Sequence, residues 1–167
     1  MSAAAQATPR TPSIARRLAS MLYEAFVLAA IAFAAGNLFL LASVGQPASG
    51  WMRFALQLYL LAVFAAYFLW CWLRGGQTLP MRAWRIRLVA PGHARVPARV
   101  ALLRFAYATL FVGSFLACLA AAFVHRNALL AFASLALSGI GVGWALVDRD
   151  GQFLHDRLAG TRLIQVD

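Results

Sequence analysis

Lysine is absent from this chain and acids are scarce: Glu24, Asp148, Asp150, Asp156 and Asp167 are the only five. The net charge of +10 is therefore carried by arginine alone. Charged residues make up 12% of the 167 against 63% hydrophobic, with a mean hydropathy of +0.74. That is too little polar surface to cover a water-soluble globule of this length, so lipid is the better solvent. No stretch outside the apolar runs is long enough to build a soluble domain with a basic face, so no nucleic-acid partner is expected. Cysteine is nearly absent as well. Cys71 and Cys118 each lie deep in an apolar run, which excludes a disulfide framework and a zinc site. His93, His125 and His155 show no ligand spacing, so neither a metal nor a cofactor is expected. There is no nucleophile elbow, phosphate loop, haem ligand set or CxxC pair, and the chain is not expected to be an enzyme.

What is present in quantity is apolar sequence. Four uncharged stretches run over residues 25–44, 54–73, 105–124 and 127–147. At ~1.5 Å per residue each reaches roughly the 30 Å of a hydrocarbon core. No alternating barrel pattern occurs, and lipid otherwise admits only helices. The expectation is an all-α integral membrane protein, a four-helix transmembrane bundle with helices at about 18–44, 54–73, 100–124 and 127–147. Residues 1–12, rich in Ala, Pro and Thr, read as a disordered tail, and 13–167 as the transmembrane domain. A cleaved signal peptide is the competing reading of the N-terminus; the apolar run is too long for it, and no A-x-A site ends it.

Arginine distribution sets the orientation. Twelve arginines lie in the N-terminal segment, the 74–99 loop and the 148–167 segment, against Arg53 and Arg126 on the other side. Positive charge accumulates in the cytoplasm, so both termini and the long loop are expected there, N-in/C-in. Within that loop, residues 80–89 (PMRAWRIRLV) interleave arginine with apolar side chains. A short interfacial helix at about 79–84 followed by a strand at 85–89 fits, and the strand-like 161–166 (TRLIQV) can pair with it.

The charged segments resemble a known family. The first helix opens on Arg17-Leu18-Ala19 with an acid seven residues on at Glu24. This resembles the arginine and first aspartate of the RDD family, with glutamate in the aspartate's place. Residues 76–89 (GQTLPMRAWRIRLV) are similar to the family's loop, which usually has glycine where Pro80 stands. Residues 144–164 (WALVDRDGQFLHDRLAGTRLI) resemble its terminal segment, with Asp156 at the second aspartate. The resemblance covers nearly the whole chain and implies a multi-pass protein of the bacterial inner membrane, with transport the role often suggested.

Arg17, Glu24, Arg104 and Asp156 form the candidate functional cluster. An ionisable group within a transmembrane helix costs about 2.5–3.5 kcal/mol on insertion scales and so points to function or to a buried pair. Glu24 lies about 9 Å into its helix counted from Leu18, and Arg104 about 7 Å into the third from the same side, so these two are expected to pair; snorkelling of Arg104 to headgroups is the alternative. Asp156 is expected to pair with a cytoplasmic arginine such as Arg17. Arg104, Tyr107, Phe111, Ser114 and Cys118 share a helical stripe that reads as a packing seam or a polar path. Ser134-x3-Ser138 and Gly139-x3-Gly143 read as close-approach packing pairs, and Asn37 as a hydrogen-bonding group between helices. Two roles follow: a small ion or solute transporter or transporter component, or a non-catalytic membrane scaffold or assembly partner whose basic loop binds anionic lipid. Four helices are few for alternating access, so a homo-oligomer or a partner membrane subunit is implied.

Overall fold

A computed structural model describes residues 10–46 and 49–166. The elements run α1 Ile14–Ala42, α2 Gly50–Gly75, α3 Leu79–Ala83, β1 Ile86–Val89, α4 Ala98–Ala108, a π-helical turn Thr109–Gly113, α5 Ser114–His125, α6 Ala128–Val147, α7 Leu154–Leu158 and β2 Arg162–Gln165. Three helices among the described residues are long and apolar enough to cross a membrane: α1, α2 and the continuous run Ala98–Val124. The 20-residue α6 follows and packs on α5.

Local signals start and stop these helices. Ser13, Ser49, Thr78 and Asn127 each accept a hydrogen bond from a backbone N–H in the first turn of α1, α2, α3 and α6. Gly76 ends α2 in the left-handed conformation, at φ +67°. α1 begins four residues earlier than the apolar pattern implies, and its 29 residues measure ~43 Å, more than the hydrocarbon needs. Its first turns therefore lie in a polar cap rather than among the spans.

That cap collects the start of α1, the end of α2, α3, the start of α4, the end of α6, α7 and both strands. The buried apolar core lies here, in Trp72, Met81, Ile86, Leu88, Val96, Ala101 and Leu163. Along the spans, large side chains such as Phe26, Phe33, Leu41 and Phe132 are instead at least two-thirds exposed. Water would penalise that arrangement heavily, whereas lipid is as apolar as the side chains themselves.

The strand pairing expected from sequence is present. β1 and β2 are antiparallel, with Leu88 opposite Leu163 and Ile86 opposite Gln165. Neither outer edge of this ribbon is left bare. Leu88 N–H donates to Gly76 C=O at 2.7 Å, and Gln77 Nε2 donates to Ile86 C=O. On the far edge the buried Gln152 side chain accepts from Leu163 N–H at 2.9 Å and donates to its C=O at 3.3 Å, as a neighbouring strand would. Gln165 N–H donates to Arg10 C=O at 2.8 Å.

The last bond corrects the tail assignment. Thr11 also donates to Asp150 C=O and Pro12 is fully buried, so residues 10–12 are structured against β2; residues 1–9 lie outside those described. The stripe on the third helix is corrected as well. The π-helical turn inserts an extra residue per turn between Tyr107 and Ser114, so residues on either side of it do not keep a 3.6-residue register. Asn37 bonds the Phe33 carbonyl of its own helix, and among the described residues a Cβ placed on Gly139 or Gly143 would meet nothing within 4 Å. The side chains of Ser134 and Ser138 lie outside those described.

Candidate functional site

The four candidate charges all reach the capped end, where they resolve into two groups. In the first, Arg104 of α4 donates from Nε to Asp156 Oδ1 of α7 at 2.7 Å, with side chains 9% and 0% exposed. The Arg104 guanidinium also lies 4.4 Å from the centre of the Trp72 ring, on α2. Arg17 of α1 is equally buried and lies 4.4 Å from the centre of the Phe153 ring. A guanidinium face is weakly hydrated, so an aromatic ring is a tolerable neighbour for it in a dry site. Among the described residues, Nε and Nη1 of Arg17 and Oδ2 of Asp156 have no hydrogen-bond partner. Arg104 is ion-paired to Asp156, and Arg17 is buried in the same group without such a bond.

The HDRLAGT element explains why Asp156 sits here. Phe153 opens a single helical turn that places His155 and Asp156 on the inside. Gly160, at φ +68°, then reverses the chain. Thr161 returns to Asp156, donating both its N–H (2.9 Å) and its hydroxyl (3.1 Å) to the Asp156 carbonyl. His155 Nε2 stands 3.6 Å from Asp156 Oδ2. Burial pushes the His155 imidazole below its ordinary range; Asp156 opposes this, and Arg104 and Arg17 reinforce it. Burial thus favours the neutral imidazole.

Glu24 forms the second group. Its carboxylate accepts from Tyr67 Oη of α2 at 2.8 Å and from Thr78 Oγ1 at 2.5 Å. Thr78 is fully buried and also caps α3, so one hydroxyl both starts that helix and ties it to α1. The pairing expected between Glu24 and Arg104 does not form: Arg104 is taken by Asp156, because α7 packs directly on α4. Equal depth along two helices fixes height but not which way each side chain faces. Arg17 likewise forms no ion pair with Asp156, although it lies in the same buried group.

Outside the buried groups, Arg157 bridges Asp148 (3.0 Å) and Asp150 (2.9 Å), and Arg162 joins Asp150 at 2.5 Å. Its hydrogen bond to Arg162 holds the Asp150 carboxyl below the usual carboxylate range. Asp148 Oδ2 also accepts from the N–H groups of Asp150 and Gln152, shaping the turn that presents Gln152 to β2. Sequence reasoning missed Tyr67, Thr78, Trp72, Phe153 and Gln152. Tyr67 is one of two phenols in its apolar span, with Tyr59, and Thr78 stands two residues before a proline, and both signals are readable.

Three long apolar helices with a polar cap at one end define a multi-pass membrane protein. The RDD family model matches residues 11–160, and the chain belongs to the RDD family. No curated protein and no solved structure matches it.

Proposed function

We propose that the chain is a four-span bacterial inner-membrane protein with its polar cap in the cytoplasm, acting as a small ion or solute transporter or as a component of one, with Glu24 as its titrating group. The observation behind this reading is the company Glu24 keeps. It is a carboxyl group in an apolar helix, bonded to two hydroxyls, and among the described residues no cation stands within ion-pair distance of it. A hydroxyl can donate to a carboxylate or accept from a carboxylic acid, so Glu24 can gain or lose a proton, or exchange it for a small cation, without breaking a salt bridge. The 20-residue apolar α6 supports a fourth span, and the arginine asymmetry supports the orientation. The role is non-enzymatic, and so few helices call for a second copy or a partner subunit.

The scaffold reading also has a specific observation in its favour. Asp156 holds α7 to α4 through a fully buried ion pair, which is what a fixed assembly platform needs. Flux separates the two readings. In sealed proteoliposomes under an imposed gradient, the wild type should move protons or a monovalent cation, and Glu24→Gln, which keeps size and hydrogen bonding, should abolish that movement with folding intact. Equal flux from both proteins would remove Glu24 from the mechanism, and no flux from protein co-purified with its native partners would favour the scaffold. Reporter fusions in the α1–α2 hairpin and at the C-terminus should report opposite sides; the same side for both would overturn the four-span topology.

A further inference from the structure

The acids of the cap are consumed by a few arginines: Asp156 by Arg104, Asp148 by Arg157, and Asp150 by Arg157 and Arg162. A cavity of about 280 Å³ opens between the end of α2 and the 90–97 loop. Arg74, Arg87, Arg95 and His93 line it, and among the described residues no acid does. Among the described residues none of these arginines lies within 4.0 Å of a carboxylate. The lining of the cavity also includes Trp72, Leu88 and Val96 of the buried core, so Arg74 at the end of α2, Arg87 on β1 and Arg95 in the loop surround an apolar base. Arg74 is further held with its guanidinium 3.6 Å from the centre of the Trp70 ring, on a helix end where tryptophan marks the membrane interface.

We infer that this cavity is a binding site for a phosphate group, with the phosphodiester of an anionic phospholipid headgroup as the ligand its position favours. Three guanidiniums offer planar pairs of N–H donors that match phosphate oxygens, and among the described residues no carboxylate stands within ion-pair distance of them. The C-terminus of α2 contributes only about half a negative charge there, which three full positive charges outweigh. A free phosphate would meet the same donors. A lipid would in addition place its acyl chains along α2, whose exposed apolar surface, Trp70 included, continues away from the cavity.

This assignment rests on the proposed placement of the cap at the membrane surface and is independent of the transport reading. The test is native mass spectrometry of the full-length protein released from a neutral detergent, titrated in parallel with phosphatidylglycerol, phosphatidylcholine and inorganic phosphate. Phosphatidylglycerol should be retained over phosphatidylcholine. Arg87→Gln and Arg95→Gln should each weaken that retention at least about tenfold, the size of one charge-assisted hydrogen bond, while Arg53→Gln, at the other end of α2, should leave it unchanged. Thermal stability measured alongside identifies any variant that fails to fold; Arg87→Lys then serves in its place, keeping the charge and losing the paired donors. Competition by inorganic phosphate alone, with no lipid preference, would support the phosphate site and assign it a soluble ligand. Equal lipid retention in the wild type and both pocket variants, or no retention of either anion, would overturn the proposal, whereas the reporter fusions judge the topology separately.

Discussion

Replacing Asp156 by asparagine removes one charge and almost no volume, and so isolates the electrostatic role of the buried group. Asp156 is fully buried and stands 2.7 Å from Arg104 Nε. At an effective dielectric of about 20 the gross attraction is roughly 6 kcal/mol. Desolvation of the two groups offsets much of this, so the pair itself contributes far less. The cost of Asp156→Asn lies elsewhere: Arg104 and Arg17 both remain buried, with no anion between them. Loss of one partner from a buried pair costs about 3–5 kcal/mol. Asp156→Glu keeps the charge and forces a methylene into a filled site, at about 1–3 kcal/mol, so glutamate should be the milder change. Adding Arg104→Gln to Asp156→Asn should recover at least about 1.5 kcal/mol relative to the sum of the single losses. Unfolding in detergent micelles, followed by denaturant titration and by proteolytic release of the segment after α6, measures the wild type, Asp156→Asn, Asp156→Glu, Arg104→Gln and the double variant. Strictly additive losses, or an asparagine variant as stable as the glutamate one, would refute the argument.

Three further outcomes follow from the cap. Gly76→Ala must hold φ +67° and would place its Cβ 2.6 Å from the Leu88 carbonyl oxygen, so a loss of about 1–3 kcal/mol is expected in the same unfolding assay. Gln152→Leu keeps the bulk but orphans the N–H and C=O of Leu163, so the Leu163 amide should exchange faster with deuterium and stability should fall by about 1–3 kcal/mol. His155 is buried neutral, facing Asp156, Arg104 and Arg17. With its folded pKa below the ordinary 6.5, its contribution is full above that pH and is lost as pH falls toward the folded value, because the unfolded chain takes up the proton first. A stability profile between neutral and mildly acid pH should decline less steeply in His155→Gln than in the wild type.

The sequence made legible what depends on length and periodicity. Twenty-residue uncharged runs located the helices, and the alternation in 80–89 and 161–166 located both strands and their pairing. Azimuth was not legible. Glu24 and Arg104 were placed at similar depths, yet Glu24 faces the hydroxyls of α2 and α3 while Arg104 faces α7, and depth counting carries no information on facing. The π-helical turn escaped notice for a related reason: every residue from 105 to 124 is uncharged, so hydropathy reads the same whichever hydrogen-bond ladder the backbone adopts. Residues 10–12 looked like tail by composition, and only the open edge of β2, with backbone groups that need partners, gives them a place.

The two ends of the family match meet in space. Thr11, at its start, bonds Asp150, and the element reaching its end at residue 160 carries Asp156, the carboxylate placed among Arg17, Arg104 and His155. The spans bury little against one another, because lipid gives apolar side chains no reason to leave it. Tertiary specificity must then come from contacts that lipid cannot imitate: hydrogen bonds, ion pairs and the small apolar core they surround. In this chain these are concentrated in the cap, where Asp156 joins α4 to α7, Glu24 joins α1 to α2 and α3, and Gln152 joins the end of α6 to β2. Arg104, Asp156 and Glu24 are thus among the residues whose polar contacts hold the elements of the cap to one another, which the apolar faces of the spans cannot do alone.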